Sequence, residues 1–144
     1  MTPLNTRGIC AYQGSFGYEL DISKMSAEEK EMVKEQVKQY KKHYELFLKG
    51  DYYRLISPME NHEYVAWQFT SKSKEKAGVC IVYTDVHGNG LPTRLKLRGL
   101  EKDAVYEIEG NRYIGAALMN GEYKMPRPKE QNDAYFLVLE KVQA

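Results

Sequence analysis

The spacing of apolar residues changes near residue 50 and divides the chain in two. Upstream, Val33, Val37, Tyr40, Tyr44, Phe47 and Leu48 recur at helical spacing and form one stripe. Ser26-Ala27-Glu28-Glu29 has the form of a capping box, in which the Ser26 hydroxyl accepts from the amide three residues on and Glu29 reaches back. Glu28, Glu29 and Glu31 at the start, and Lys41, Lys42 and Lys49 at the end, complement the helix macrodipole. Gly50 suits a left-handed residue just past the last turn. The pattern predicts one helix roughly 35 Å long. Before it, Phe16, Tyr18, Leu20 and Ile22 alternate with Gly17, Glu19 and Asp21, which predicts a strand over 15–22. A short helix can begin after Pro3, too short to be stable alone. Helix, strand and helix in this order look like the end of an α/β barrel.

Downstream the period becomes two. Strands are expected over 52–56, 64–70, 77–84, 94–98, 104–108, 112–114 and 135–142. The stretch from Ala77 to Thr84 is nearly continuous in apolar residues, as a central buried strand would be. Glu109-Gly110-Asn111 should turn one strand back on the next. Residues 115–121 suit one helical turn, and Met125-Pro126-Arg127-Pro128 a stiff connector. The class predicted is mainly β: an antiparallel β-sandwich of Greek-key type, preceded by a strand and a long helix.

Charge and composition narrow the function classes. A net charge of +1 gives no electrostatic case for nucleic acid or an anionic membrane. No apolar run reaches the length of a membrane span, and the first residues lack the hydrophobic core of a secretory signal. Cys10 and Cys80 have no motif spacing, and two free thiols suit a reducing, cytoplasmic compartment. The twelve tyrosines suit strands, although they also occur at carbohydrate and protein contacts.

Candidate chemistry is sparse. Glu19 and Asp21 share one face of the predicted strand, which invites a glycosidase pair. Their Cα atoms would be about 6.5–7 Å apart, and a retaining pair must flank the sugar with carboxyls about 5–5.5 Å apart. Side chains on one strand point the same way, so hydrogen bonding at a rim or helix entry is the better reading. His43, His62 and His87 form no ligand-spaced cluster, so no metal is expected, and no cofactor motif or phosphate loop is present. Trp67 with Tyr64 and Phe69 could stack on a sugar, but Tyr64 and Trp67 fall on opposite strand faces and a core Trp is the simpler reading.

A resemblance adds to this. The run Thr2-Pro3-Leu4-Asn5-Thr6-Arg7-Gly8, followed by Phe16-Gly17-Tyr18-Glu19-Leu20-Asp21, resembles the end of the catalytic barrel in glycoside hydrolase family 36 α-galactosidases (melibiases). Ser26-Ala27-Glu28-Glu29-Lys30, Lys34-Glu35-Gln36-Val37 and Tyr40-Lys41 look like the last barrel helix. Gly50-Asp51-Tyr52-Tyr53-Arg54-Leu55-Ile56-Ser57-Pro58 looks like the passage into that family's C-terminal β domain. Ala66-Trp67, Arg94-Leu95-Lys96-Leu97-Arg98-Gly99-Leu100, Tyr106 with Glu109-Gly110, and Leu118-Met119-Asn120-Gly121 resemble its strands.

The resemblance implies a division into residues 1–50, the end of a (β/α)8 barrel, and 51–144, a C-terminal antiparallel β domain. It implies a parent enzyme that removes terminal α-galactosyl residues from galactosides such as melibiose and raffinose, with retention, two aspartates and no metal. The family's lysine-tryptophan-aspartate nucleophile motif is absent here, as is its arginine- and cysteine-containing acid/base motif. No catalytic residue carries over; Tyr18, Glu19 and Asp21 receive at most a barrel-rim or supporting role. Met1 falls inside the family's barrel, so a truncated-frame start is expected. The chain alone should then be inactive. Its expected partners are the N-terminal and barrel domains, the parent's α-galactoside, and further copies in a homo-oligomer. The alternatives are a free-standing carbohydrate-binding or protein-interaction module, and a purely structural β domain that braces the barrel.

Overall fold

The structure, a computed structural model, describes residues 1–143. Three helices come first: α1 (Leu4–Ala11), α2 (Ala27–Lys42) and α3 (Tyr44–Lys49). Five strands follow, β1 (Asp51–Ile56), β2 (Tyr64–Thr70), β3 (Lys76–Tyr83), β4 (Arg94–Leu95) and β5 (Val105–Ile108). Then come β6 (Asn111–Ile114), α4 (Gly115–Asn120), β7 (Tyr123–Lys124) and β8 (Ala134–Val142). Among the described residues, six strands make one antiparallel sheet in the order β1-β2-β3-β8-β5-β6, and β4 pairs with β7. The chain's last strand returns to lie between β3 and β5, the long return of a Greek key.

Both faces of the large sheet are covered. Alternate side chains of one strand serve opposite cores. Val79, Ile81, Leu137 and Leu139 pack beneath Leu95, Leu97, Leu118 and Met125 of the β4–β7 layer and α4. Trp67, Phe69, Cys80 and Val82 face the helices and meet Ile9, Tyr12, Leu46 and Phe47. This two-sided burial explains the apolar run of β3, third of six strands.

Four local expectations change. Residues 15–22 form no strand; the stretch is extended or bent and ends in a 3₁₀ turn over Ile22–Lys24. A strand needs a paired neighbour, and among the described residues no backbone group of Ser15–Leu20 is hydrogen-bonded. The long helix is two helices, bent at His43 (φ −110°, ψ 15°). The hydrogen bonds run on through the bend, from His43 N–H to Gln39 O and from Phe47 N–H to His43 O, both 3.1 Å. The bend drops Leu46 and Phe47 into the sheet. The capping box forms as expected, with Ser26 Oγ accepting from Glu29 N–H at 3.1 Å and Glu29 Oε2 from Ser26 N–H at 2.8 Å.

Gly50 is extended (φ −69°, ψ 161°), not left-handed. Glycine is required there by crowding: a β-carbon would collide with the Leu46 carbonyl oxygen. Finally, among the described residues only Arg94 and Leu95 of the strand expected over 94–98 pair in a ladder. Buried Gln68 takes over at Arg98, donating from Nε2 to its carbonyl at 2.5 Å and accepting its N–H at Oε1, 3.0 Å. One side-chain amide thus imitates a rung of β-ladder.

Gln68→Leu removes the partner of the Arg98 N–H and leaves the Arg98 carbonyl only the 3.5 Å contact from Thr70 Oγ1. Leaving buried polar groups unpaired costs about 2–3 kcal/mol, so a fall of that size in unfolding free energy is expected by urea titration.

Candidate functional site

The region that carries the sequence candidates is the helical side, where segment 12–25 lies along α2. Its centre is Tyr12, 1 % exposed. Tyr12 stacks on Phe47 at 4.9 Å and meets Phe136 edge-on at 5.6 Å. Phe16 stacks on Tyr40 at 4.7 Å. Each such pair adds about 0.5–1.5 kcal/mol beyond its buried area. The Tyr12 hydroxyl donates to Gln39 Oε1 at 2.7 Å, and burial pushes its pKa well up, so it stays a donor. The Tyr40 hydroxyl donates to the Gly14 carbonyl at 3.1 Å.

Polar stitches fix the same layer. Tyr18 Oη–H donates to Gln36 Oε1, while Gln36 Nε2 donates to the Leu4 carbonyl at 2.8 Å. Gln36 therefore ties segment 12–18 to α1, and the space beside Gly8 is filled by its amide. Thr6 Oγ1 donates to Asn132 O at 2.5 Å and Asn5 Nδ2 to Ala134 O at 3.1 Å, joining α1 to the start of β8.

The sequence candidates now separate. Tyr18 belongs to this hydrogen-bonded chain. Glu19 is exposed. Asp21 caps the 3₁₀ turn, accepting from Ser23 N–H at 3.1 Å and Ser23 Oγ–H at 2.5 Å, with Lys24 Nζ at 3.4 Å. Those bonds hold its carboxyl below the usual range, the opposite of what a general acid near neutral pH needs. Glu19 and Asp21 are therefore not assembled as a pair across a cleft. Trp67 offers no stacking face: it is 5 % exposed, packed with Ile9, Cys80 and Val82, because its alternate position on β2 points into the helix-side core. Among the described residues, no group of three or more His, Cys, Asp or Glu side chains gathers to hold a metal ion. No helix there is long and apolar enough to cross a membrane.

Comparison with known proteins places this layer. The melibiase family model matches residues 1–50, and the glycosyl hydrolase family 36 C-terminal domain model matches residues 64–139. The chain belongs to glycosyl hydrolase family 36. It is 40 % identical over 137 residues to the bifunctional alpha-galactosidase/sucrose kinase AgaSK of Mediterraneibacter gnavus, covering 94 % of this chain and 14 % of that protein. It is 42 % identical over 124 residues to the alpha-galactosidase AgaA of Geobacillus stearothermophilus, covering 85 % and 17 %. The solved galactosidase domain of AgaSK superimposes with a TM-score of 0.95 at 38 % identity, over 99 % of this chain and 20 % of that one. An AgaA variant solved in complex with raffinose gives 0.94 at 36 % identity, over 99 % and 20 %. The chain thus spans about a seventh to a sixth of the curated family 36 relatives it matches, namely 14 % and 17 %.

The helical stripe sits differently from the expected one. The buried positions are Gln36, His43, Leu46 and Phe47; Tyr44 and Leu48 are 48 % and 51 % exposed. Periodicity weighs apolar residues, so it passes over Gln36, Gln39 and His43. His43 is buried with Nδ1 unpartnered, edge-on to Phe136 at 5.6 Å. Burial lowers its pKa from 6.5 to about 4, with Lys76 and Lys42 adding to the effect and Glu140 opposing it.

The sign follows from linkage. The unfolded chain takes up this proton near pH 6.5, and the folded chain only near pH 4. The contribution of neutral His43 is whole above pH 6.5 and is lost as pH falls towards 4. Replacing it with an apolar residue (His43→Leu) should flatten the pH dependence of the urea midpoint across that window. An unchanged slope would remove His43 as its source.

Proposed function

We propose that this chain is the C-terminal part of a retaining α-galactosidase, a glycoside hydrolase acting on terminal α-galactosides such as melibiose and raffinose. Residues 1–50 complete the catalytic barrel with its last strand and helix, and residues 51–144 brace it as a β domain. The observation that carries the reading is the stretch Ser15–Leu20. It has strand alternation, runs without secondary-structure pairing, and uses none of its backbone groups within the described chain. Leu20 and Ile22, and Tyr44 and Leu48 on α3, are exposed apolar side chains. A strand with unused edges and a helix with a second apolar face fit the rim of a parallel barrel, where each strand pairs on both sides and each helix packs outside. The family matches over 1–50 and 64–139 support the same division.

Tyr18, Glu19 and Asp21 take the barrel-rim place in this reading, Tyr18 by orienting the strand through Gln36. The chemistry belongs to residues outside this chain, with no cofactor required. The same exposed apolar face favours assembly into a homo-oligomer when the barrel is absent. Free Cys10 and Cys80 suit the cytoplasm.

A complementation assay tests this. The purified chain should release no p-nitrophenol from p-nitrophenyl α-galactoside. Refolded with a family 36 α-galactosidase cut back to remove the matching region, it should restore activity. Leu48→Glu, on the exposed face, should lower that rescue at least tenfold, about 1.4 kcal/mol, with the chain's own melting temperature unchanged. Activity of the chain alone would sink the reading and return Glu19 and Asp21 as a catalytic pair; failure to rescue while folded would sink it in favour of a free-standing binding module.

A further inference from the structure

The β2–β3 end of the sheet carries a cavity of about 230 Å³ that no part of the barrel-completing role uses. Three separate stretches build it: Glu63 and Tyr64 at the start of β2, the loop after β3, and Arg127 to Lys129. Its walls are braced before any ligand arrives. The Glu63 carbonyl accepts from Thr84 N–H at 2.8 Å and Asp85 N–H at 3.1 Å. Gln131 grips Val86 on both sides, with Oε1 accepting from Val86 N–H at 3.1 Å and Nε2 donating to Val86 O at 3.2 Å. Tyr83 Oη–H donates to Pro126 O at 2.6 Å, and Tyr135 Oη–H to Arg127 O at 2.8 Å. A pocket held this way loses little freedom on binding.

The lining selects a ligand class. Half-buried Tyr64 supplies aromatic surface, and buried Tyr83, with its ring centroid 6.1 Å away, backs it from the core. No hydrogen bond among the described residues uses the Tyr64 hydroxyl. Glu63 and Asp85 present planar carboxylates that can each accept from two neighbouring hydroxyls, and Arg127 presents a donor fork. His87 Nε2 lies 3.3 Å from Asp85 Oδ2 and orients it. Carboxylates beside cations disfavour a ligand of either net charge. A volume of about 230 Å³ suits a single ring better than a peptide. We propose that this cavity binds one neutral hexose ring, its apolar face on Tyr64 and its hydroxyls on Asp85, Glu63 and Arg127. The choice of galactose as first probe rests on the proposed function; the pocket itself does not.

The test is a titration of the full chain with methyl α-galactoside, glucose and inorganic phosphate, followed by amide NMR shifts. Saturable shifts confined to Tyr64, the 85–91 loop and Arg127, produced by either sugar, are expected. Asp85→Asn, at an exposed side chain, should keep the melting temperature and weaken binding roughly tenfold. Tyr64→Leu should abolish the shifts. Shifts with phosphate only, shifts elsewhere, or none up to the solubility of both sugars would overturn the proposal. The outcome is independent of the complementation assay, so the two readings fail separately.

Discussion

Phe47 is the contact on which the arrangement of the helices depends. Its ring meets Tyr12 at 4.9 Å, Phe69 at 5.3 Å, Phe136 at 5.4 Å and Tyr40 at 5.6 Å. Those residues come from segment 12–18's root, β2, β8 and α2. One ring therefore fixes four pieces of chain at once. It reaches that position only because the helix bends at His43, which turns the apolar end of α3 into the sheet. Gly78 on β3 completes the fit: it leaves room for Phe136, whose ring occupies the space a β-carbon would need.

Around this aromatic centre the two sides of the sheet use different means. The β4–β7 side is closed by aliphatic packing and by Gln68 standing in for a missing strand rung. The helical side combines aromatic rings with glutamines, because α1 and segment 12–18 present carbonyls and hydroxyls that need partners in a buried layer. Gln36 satisfies two such groups with its two amide ends. A hydrophobic residue there would pack but would leave the Leu4 carbonyl and the Tyr18 hydroxyl without their contacts.

Much of the β domain was legible because its strands obey period two and their neighbours lie in the same chain. Strands β2, β3 and β8 fall within a residue or so of expectation, and the apolar run of β3 marks its two-sided burial. Residues 15–22 carry a strand's alternation but have no partner among the described residues, so pattern and pairing part company. The strand over 94–98 shortened for another reason: a side chain supplies what a neighbouring backbone would. The helix bend was hidden because His43 sits in good hydrogen-bonding register, and only its φ and burial reveal it. At the candidate site, the residue types of Glu19 and Asp21 drew attention, whereas the organising residues are neutral glutamines that no chemical motif flags. On the proposed reading, the resemblance to family 36 accounts for a strand pattern that stands without a mate.

The crowding at Gly50 has a mechanical meaning. The two family matches fall on either side of it, which makes the junction look like a place where one module ends and another is attached. Yet the glycine leaves the helix with its N–H on the Leu46 carbonyl at 3.1 Å, and Asp51 enters β1 at once, paired with Thr70. No slack residues lie between helix and strand. A push on α3 therefore reaches the sheet as a push on a lever reaches its fulcrum, with no linker in between. The two family matches thus fall on either side of a passage from helix into strand that has no linker.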